Sequence, residues 1–158
     1  MFPKAELIVH EVEAAFWLDR APRPDDNERL ARHTKMQREV TAPYRGRIRR
    51  IKDGEVLPGI TAIMRPSHKP GHTTWLLTSG NARMLLWGDI VHLAKVQVPR
   101  PDCYLIFDFD GAQARASREQ VFDWVANEGI TVAGAHLPFP GFATLSRAGQ
   151  GFEFKPVA

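Results

Sequence analysis

The chain has 158 residues, of which 44% are hydrophobic and 25% charged, so it is not a wholly disordered chain and can bury a core. Its formal net charge of +3 is too small for an arginine-rich nucleic-acid arm, and its one cysteine, Cys103, excludes a disulfide framework and a cysteine-rich zinc module. No apolar run approaches the roughly 20 residues that a membrane span needs.

The first residues, Met1-Phe2-Pro3-Lys4-Ala5-Glu6, lack a basic region followed by a long apolar stretch, so a cytoplasmic protein is expected. The β-branched segment from Glu6 to His10 predicts a strand. Glu11 to Asp19 predicts a short helix with Val12, Phe16 and Trp17 on one face. A turn from Arg20 to Asp26 leads to a second predicted helix, Asn27 to Ala42, stopped by Pro43. The charge run Arg45 to Lys52 reads as a solvated edge strand with Ile48 and Ile51 turned inward. Acidic residues follow it at Asp53 and Glu55, and only Tyr44 offers an aromatic neighbour, which argues against a nucleic-acid strip.

From Val56 onward the pattern is β-rich. Strands are expected at Ile60 to Met64, Thr73 to Thr78 and Met84 to Trp87, the last two joined as a hairpin by Ser79-Gly80-Asn81. A helix is expected from Gly111 to Glu128, with Asp110 as its N-cap, Gly129 at its C-terminus, and Ala114, Arg118, Val121 and Val125 on one stripe. Strands at Ile130 to Ala135 and Phe152 to Lys155 complete an α/β chain with a mixed sheet.

Three segments offer chemistry. His68 lies in the stiff loop Pro66-Ser67-His68-Lys69-Pro70-Gly71-His72, Asp89 follows Gly88 at a strand end, and His136 follows the strand ending at Ala135. Ligand sites of α/β folds gather at such strand ends. On the residues alone two readings stand. One is a site for a borderline cation such as zinc; the other is a set of histidines that lock their loops by hydrogen bonding.

The same segments carry a resemblance. Pro66-Ser67-His68-Lys69-Pro70-Gly71-His72, Gly88-Asp89-Ile90-Val91-His92, Phe107-Asp108-Phe109-Asp110 and Ala135-His136-Leu137-Pro138-Phe139-Pro140-Gly141 together resemble the C-terminal half of a metallo-β-lactamase-fold hydrolase. The branch is that of N-acyl-homoserine lactonases and methyl parathion hydrolase. The resemblance implies the C-terminal αβ half of an αββα sandwich, a mixed sheet with helices on one face. It also implies a dinuclear zinc site, with His68 on one metal, His136 on the other and Asp89 between them, and a small ester, lactone or phosphoester as substrate. His72 and His92 would support the ligands or pack, and Trp87 and Phe139 would line an apolar pocket.

The family's His-x-His-x-Asp-His motif has no counterpart among the 158 residues; His10-Glu11-Val12-Glu13 does not reproduce it. Each metal would keep one histidine and a share of Asp89, fewer than the three protein ligands of a catalytic zinc. The expectation is therefore one truncated domain over residues 1–158, inactive as an isolated chain. It would be completed by a separate N-terminal half, or else would pair as a homodimer that serves as a binding or regulatory module. Neither membrane nor nucleic acid is expected as a partner.

Overall fold

A computed structural model describes residues 2–66 and 68–157, so Ser67 of the histidine loop lies outside the described residues. The chain packs as two compact units, residues 1–52 and 53–158.

In the first unit, β1 (Leu7–His10) pairs in parallel with β2 (Ile48–Ile51), Leu7 opposite Ile48 and His10 opposite Ile51. The predicted helix after β1 is split: one α-helical turn, α1 (Glu11–Ala14), passes into a π-helical turn over Ala15–Asp19. Helix α2 (Glu28–Thr41) starts one residue after the expected boundary because Asn27 is its cap, the Leu30 N–H donating to Asn27 Oδ1 at 2.9 Å. Cations of the charge run meet carboxylates: Arg49 with Glu6 at 2.9 Å, Arg50 with Asp19 at 2.5 Å and Lys52 with Glu11 at 3.7 Å.

The second unit is built on a seven-stranded mixed sheet whose spatial order follows the chain: β3 (Gly54–Leu57), β4 (Ile60–Met64), β5 (Thr73–Ser79), β6 (Ala82–Leu86), β7 (Thr131–Ala133), β8 (Phe142–Ala148) and β9 (Gly151–Pro156). Neighbours are antiparallel except β6 and β7, which run parallel. Parallel neighbours need a long crossover, and the chain between these two holds the one-turn helix α3 (Ala94–Gln97) and the long helix α4 (Gly111–Glu128). Helix α4 has the predicted bounds and caps, with Gln113 N–H donating to Asp110 Oδ1 at 3.0 Å and Gly129 in the left-handed conformation.

Alternation along the strands sets the core. Leu85, Val132, Leu145 and Phe152 meet Val121, Phe122 and Val125 of α4 in one apolar cluster. Trp87, just past β6, is fully buried in that cluster and packs on Phe122 with ring centroids 5.7 Å apart. It is therefore core rather than pocket wall. The ends of β6 and β7 thus rest on α4, and the loops that follow them carry Asp89 and His136. No helix among the described residues is long and apolar enough to cross a membrane.

Candidate metal centre

Asp89 leaves β6 through a sharp turn at Gly88, whose φ is +55°. A Cβ on Gly88 would stand 2.7 Å from His72 Nε2. Glycine is thus required here both by the left-handed backbone and by the close approach of the histidine. That approach has a purpose. The backbone N–H of Asp89 donates to His72 Nε2 at 2.9 Å, and His72 Nδ1 lies 3.1 Å from the Arg65 carbonyl. An acceptor at Nε2 fixes the proton on Nδ1, so His72 is neutral and donates to Arg65. Burial lowers its pKa below the ordinary histidine range, in keeping with that form. Committed to two backbone groups, His72 supports Asp89 and has no free nitrogen for a metal.

Three other imidazoles point Nε2 at the Asp89 carboxylate. His68 Nε2 is 3.8 Å from Oδ2, His92 Nε2 is 3.9 Å from Oδ1 and His136 Nε2 is 3.4 Å from Oδ1. The His92 ring lies between the other two, 4.8 Å from His68 and 4.8 Å from His136 by ring centroids. His92, expected from the sequence to support or pack, therefore stands inside the cluster. Burial lowers its pKa below the ordinary histidine range, Asp89 opposes that shift, and the neighbouring imidazoles of His68 and His136 add to it.

The position of His92 is set from behind. Gln97, fully buried, accepts the N–H groups of His92 and Leu93 on Oε1 at 2.8 and 3.0 Å and donates Nε2 to the Cys103 carbonyl at 3.2 Å. The His136 loop closes on itself, with Gly134 N–H donating to the Gly141 carbonyl and Leu137 N–H to the Gly134 carbonyl. Beside it opens a groove of about 670 Å³ lined by Leu86, Leu137, Phe139 and Phe142. Phe139 is 96% exposed at its rim, whereas Trp87 stays in the core. Lys69, which adds a positive charge to the histidine loop, reaches the Phe107 carbonyl at 3.4 Å.

The donor set suits a borderline divalent cation. The ligand atoms of His68, Asp89 and His92 lie within 4.8 Å of one another, and all are imidazole nitrogens or carboxylate oxygens. With His136 the cluster offers four side chains. That is enough for one ion and too few for two ions that each keep three protein ligands.

Comparison with protein-family models gives no match, and neither does comparison with curated protein sequences. Solved structures do match. The hydrolase AbOPH of the β-lactamase superfamily superposes with a TM-score of 0.89 and 31% identity, over 99% of this chain and 56% of that one. AidC, a dizinc quorum-quenching lactonase solved with its N-hexanoyl-L-homoserine product, gives 0.89 and 24% identity over the same shares of 99% and 56%. The chain has the metallo-β-lactamase fold that these hydrolases share. AiiA of B. thuringiensis, solved with N-decanoyl-L-homoserine at its active site, shares the metallo-β-lactamase fold at a TM-score of 0.58 and 20% identity, over 89% of this chain and 54% of that one. The chain spans little more than half the length of these relatives, the extent expected of a C-terminal half of the metallo-β-lactamase sandwich.

The sequence singled out Asp89 and His136 from their strand-end positions and His68 from its stiff proline- and glycine-bearing loop. Gln97, which holds the His92 loop, carries no local signal, and Arg118 shows only as the charged member of an apolar stripe: their roles exist only once α3, α4 and the loops are packed together.

Proposed function

We propose that these 158 residues supply one side of a divalent-metal hydrolase site for an ester, lactone or phosphoester, and that turnover needs metal ligands from a further polypeptide segment. The reading is carried by the convergence of three imidazole Nε2 atoms on the Asp89 carboxylate at 3.4 to 3.9 Å. A bound metal supplies Lewis-acid polarisation of the substrate's carbonyl or phosphoryl oxygen. The chain's own residues orient and select. Asp89 presents Oδ2 to His68 and Oδ1 to His92 and His136, so its carboxylate would share a bound ion with these imidazoles. His72 fixes the Asp89 backbone. The groove of Leu86, Leu137, Phe139 and Phe142 accepts an apolar part of the substrate and keeps water from it. Zinc is the metal that the donor types and the dizinc relative favour.

The test is to titrate the purified chain with zinc by calorimetry and to assay lactone and phosphotriester hydrolysis. Both are done alone and after co-expression with a segment carrying His-x-His-x-Asp-His. At most one weakly held ion and no turnover are expected alone, and turnover is expected with the segment. Two tightly held ions and turnover by the chain alone would overturn the need for further ligands. No zinc bound in either form would overturn the metal site.

One observation favours a second reading, a non-catalytic homodimer. Leu86 and Phe142 lie on the sheet face opposite α4 and are 37% and 40% exposed, with Phe139 beside them. An apolar strip of this kind favours association with a second copy. Light scattering over a concentration series decides it: a monomer at high concentration sinks the dimer.

A further inference from the structure

The cluster around Asp89 leaves two buried polar atoms that the reading above does not use. His68 turns Nε2 toward Asp89, and its other nitrogen, Nδ1, is buried with no hydrogen-bond partner among the described residues. The same holds for Oδ1 of Asp108. The two atoms face each other at 3.6 Å. That gap is too narrow for an intervening water and slightly too wide for a full hydrogen bond, so a small rotation of either side chain closes it. A buried donor and a buried acceptor each cost free energy when unmade, so they satisfy each other.

Asp108 is well placed to hold a ring. Its side chain is fully buried, and its second oxygen, Oδ2, accepts the Leu105 N–H at 2.9 Å. Arg118, 1% exposed, stands 3.8 Å from that oxygen. Arg118 is itself fixed: Nε donates to the Ile90 carbonyl at 2.8 Å, and Nη1 donates to the carbonyls of Pro101 at 3.0 Å and Cys103 at 2.7 Å. One buried guanidinium therefore ties the segment after Asp89 to the carboxylate behind His68. The backbone adds a further link, with Phe109 N–H donating to the His68 carbonyl at 3.2 Å.

We propose that Asp108, held by Leu105 and Arg118, is a positioning residue for His68. It accepts the Nδ1 proton and so fixes the tautomer in which Nε2 carries the lone pair facing Asp89 and His92. An imidazole ligand needs its lone pair on the metal side, and a carboxylate behind the ring is a common way to secure it. The value of this arrangement to function rests on His68 being a metal ligand as proposed above, but the tautomer itself does not.

The experiment uses the full 158-residue chain, ¹⁵N-labelled and stripped of metal, with imidazole nitrogens observed by long-range proton–nitrogen NMR at a fixed alkaline pH of about 9, where an imidazole is neutral and has a single ring proton. His68 is assigned by loss of its signals in His68→Gln. The expected result is a His68 ring proton on Nδ1 that moves to Nε2 in Asp108→Asn, because the amide can donate to Nδ1 where the carboxylate cannot. The amide's near-identical size preserves packing. A wild-type His68 protonated on Nε2 overturns the proposal with no variant needed, as does an Asp108→Asn chain that keeps the Nδ1 proton. Cobalt titration of the same samples adds an independent readout, with a loss of about 10- to 100-fold in affinity expected for Asp108→Asn. If the tautomer moves and neither protein binds cobalt, the positioning role stands and the metal reading falls.

Discussion

The backbone N–H of Asp89 donates to Nε2 of His72 at 2.9 Å, so the second histidine of the Pro66–His72 loop is spent on holding the carboxylate rather than on binding. The two histidines of one short loop thus differ in kind. His68 offers Nε2 to the cluster, while His72 uses both nitrogens on backbone.

Replacing His72 by Leu removes one acceptor and one donor and leaves Asp89 N–H and Arg65 C=O without their partner. Each such group costs about 1–3 kcal/mol, so a loss of about 2–6 kcal/mol is expected in urea unfolding. Gly88→Ala adds a Cβ that would meet His72 Nε2 at 2.7 Å, on top of about 1–2 kcal/mol for a left-handed alanine. In a His72→Ala background the steric part vanishes, so the double variant is more stable than the two single losses add up to. Strict additivity would show that the contact does not constrain the turn.

These supports separate what the sequence reveals from what it hides. Helix α4 is legible because its signals are local: a capping carboxylate at Asp110, an apolar stripe and Gly129 at the end. Strand β8 is not predicted, because Ala143 and Leu145 face the core between Phe142, Thr144 and Ser146, a weak alternation that pairing with β7 and β9 completes. Strand β3 is equally quiet and depends on β4. In the site, His68, Asp89 and His136 stand out because strand ends and stiff loops mark them. Arg118 is visible only as the charged member of an apolar stripe; the three carbonyls and the carboxylate that make its burial tolerable come from residues 90 to 108.

Arg118 accordingly carries a large stability effect. Arg118→Met leaves the carbonyls of Ile90 and Pro101 unpaired, leaves that of Cys103 with Gln97 alone, and leaves the Asp108 carboxylate buried without its cation. A cost of about 3–5 kcal/mol is expected. Arg118→Lys is expected to recover little of it, because one ammonium cannot reproduce the fork that spans these acceptors. Thermal unfolding of both variants checks this, and a lysine variant as stable as wild type would contradict it.

Gly134 is fixed by the core rather than by its backbone angle. A Cβ there would lie 2.1 Å from Trp87 Nε1, and Trp87 is fully buried. Gly134→Ala must push the indole into α4, which overpacks the core at a cost of about 1–3 kcal/mol. Shrinking the partner tests the cause: Trp87→Phe in the Gly134→Ala background is expected to cost less than Trp87→Phe alone. An equal cost in both backgrounds would place the strain elsewhere.

His92 decides how the cluster binds a metal. Its Nε2 lies 3.9 Å from Asp89 Oδ1, and its ring stands between His68 and His136. Gln97 holds the backbone that presents it. If His92 donates to the ion, His92→Gln weakens cobalt binding by at least about tenfold, the loss seen even for residues that merely orient a ligand. It also changes the visible absorption of the bound ion, because one nitrogen donor is replaced. If His92 only packs, His92→Gln leaves the spectrum as in wild type while His136→Gln alters it. Running both variants beside Asp89→Asn, which is expected to abolish binding because all three imidazoles face that carboxylate, separates the roles in a single titration series. An Asp89→Asn chain that still binds cobalt with wild-type affinity would show that the ion sits somewhere other than this cluster.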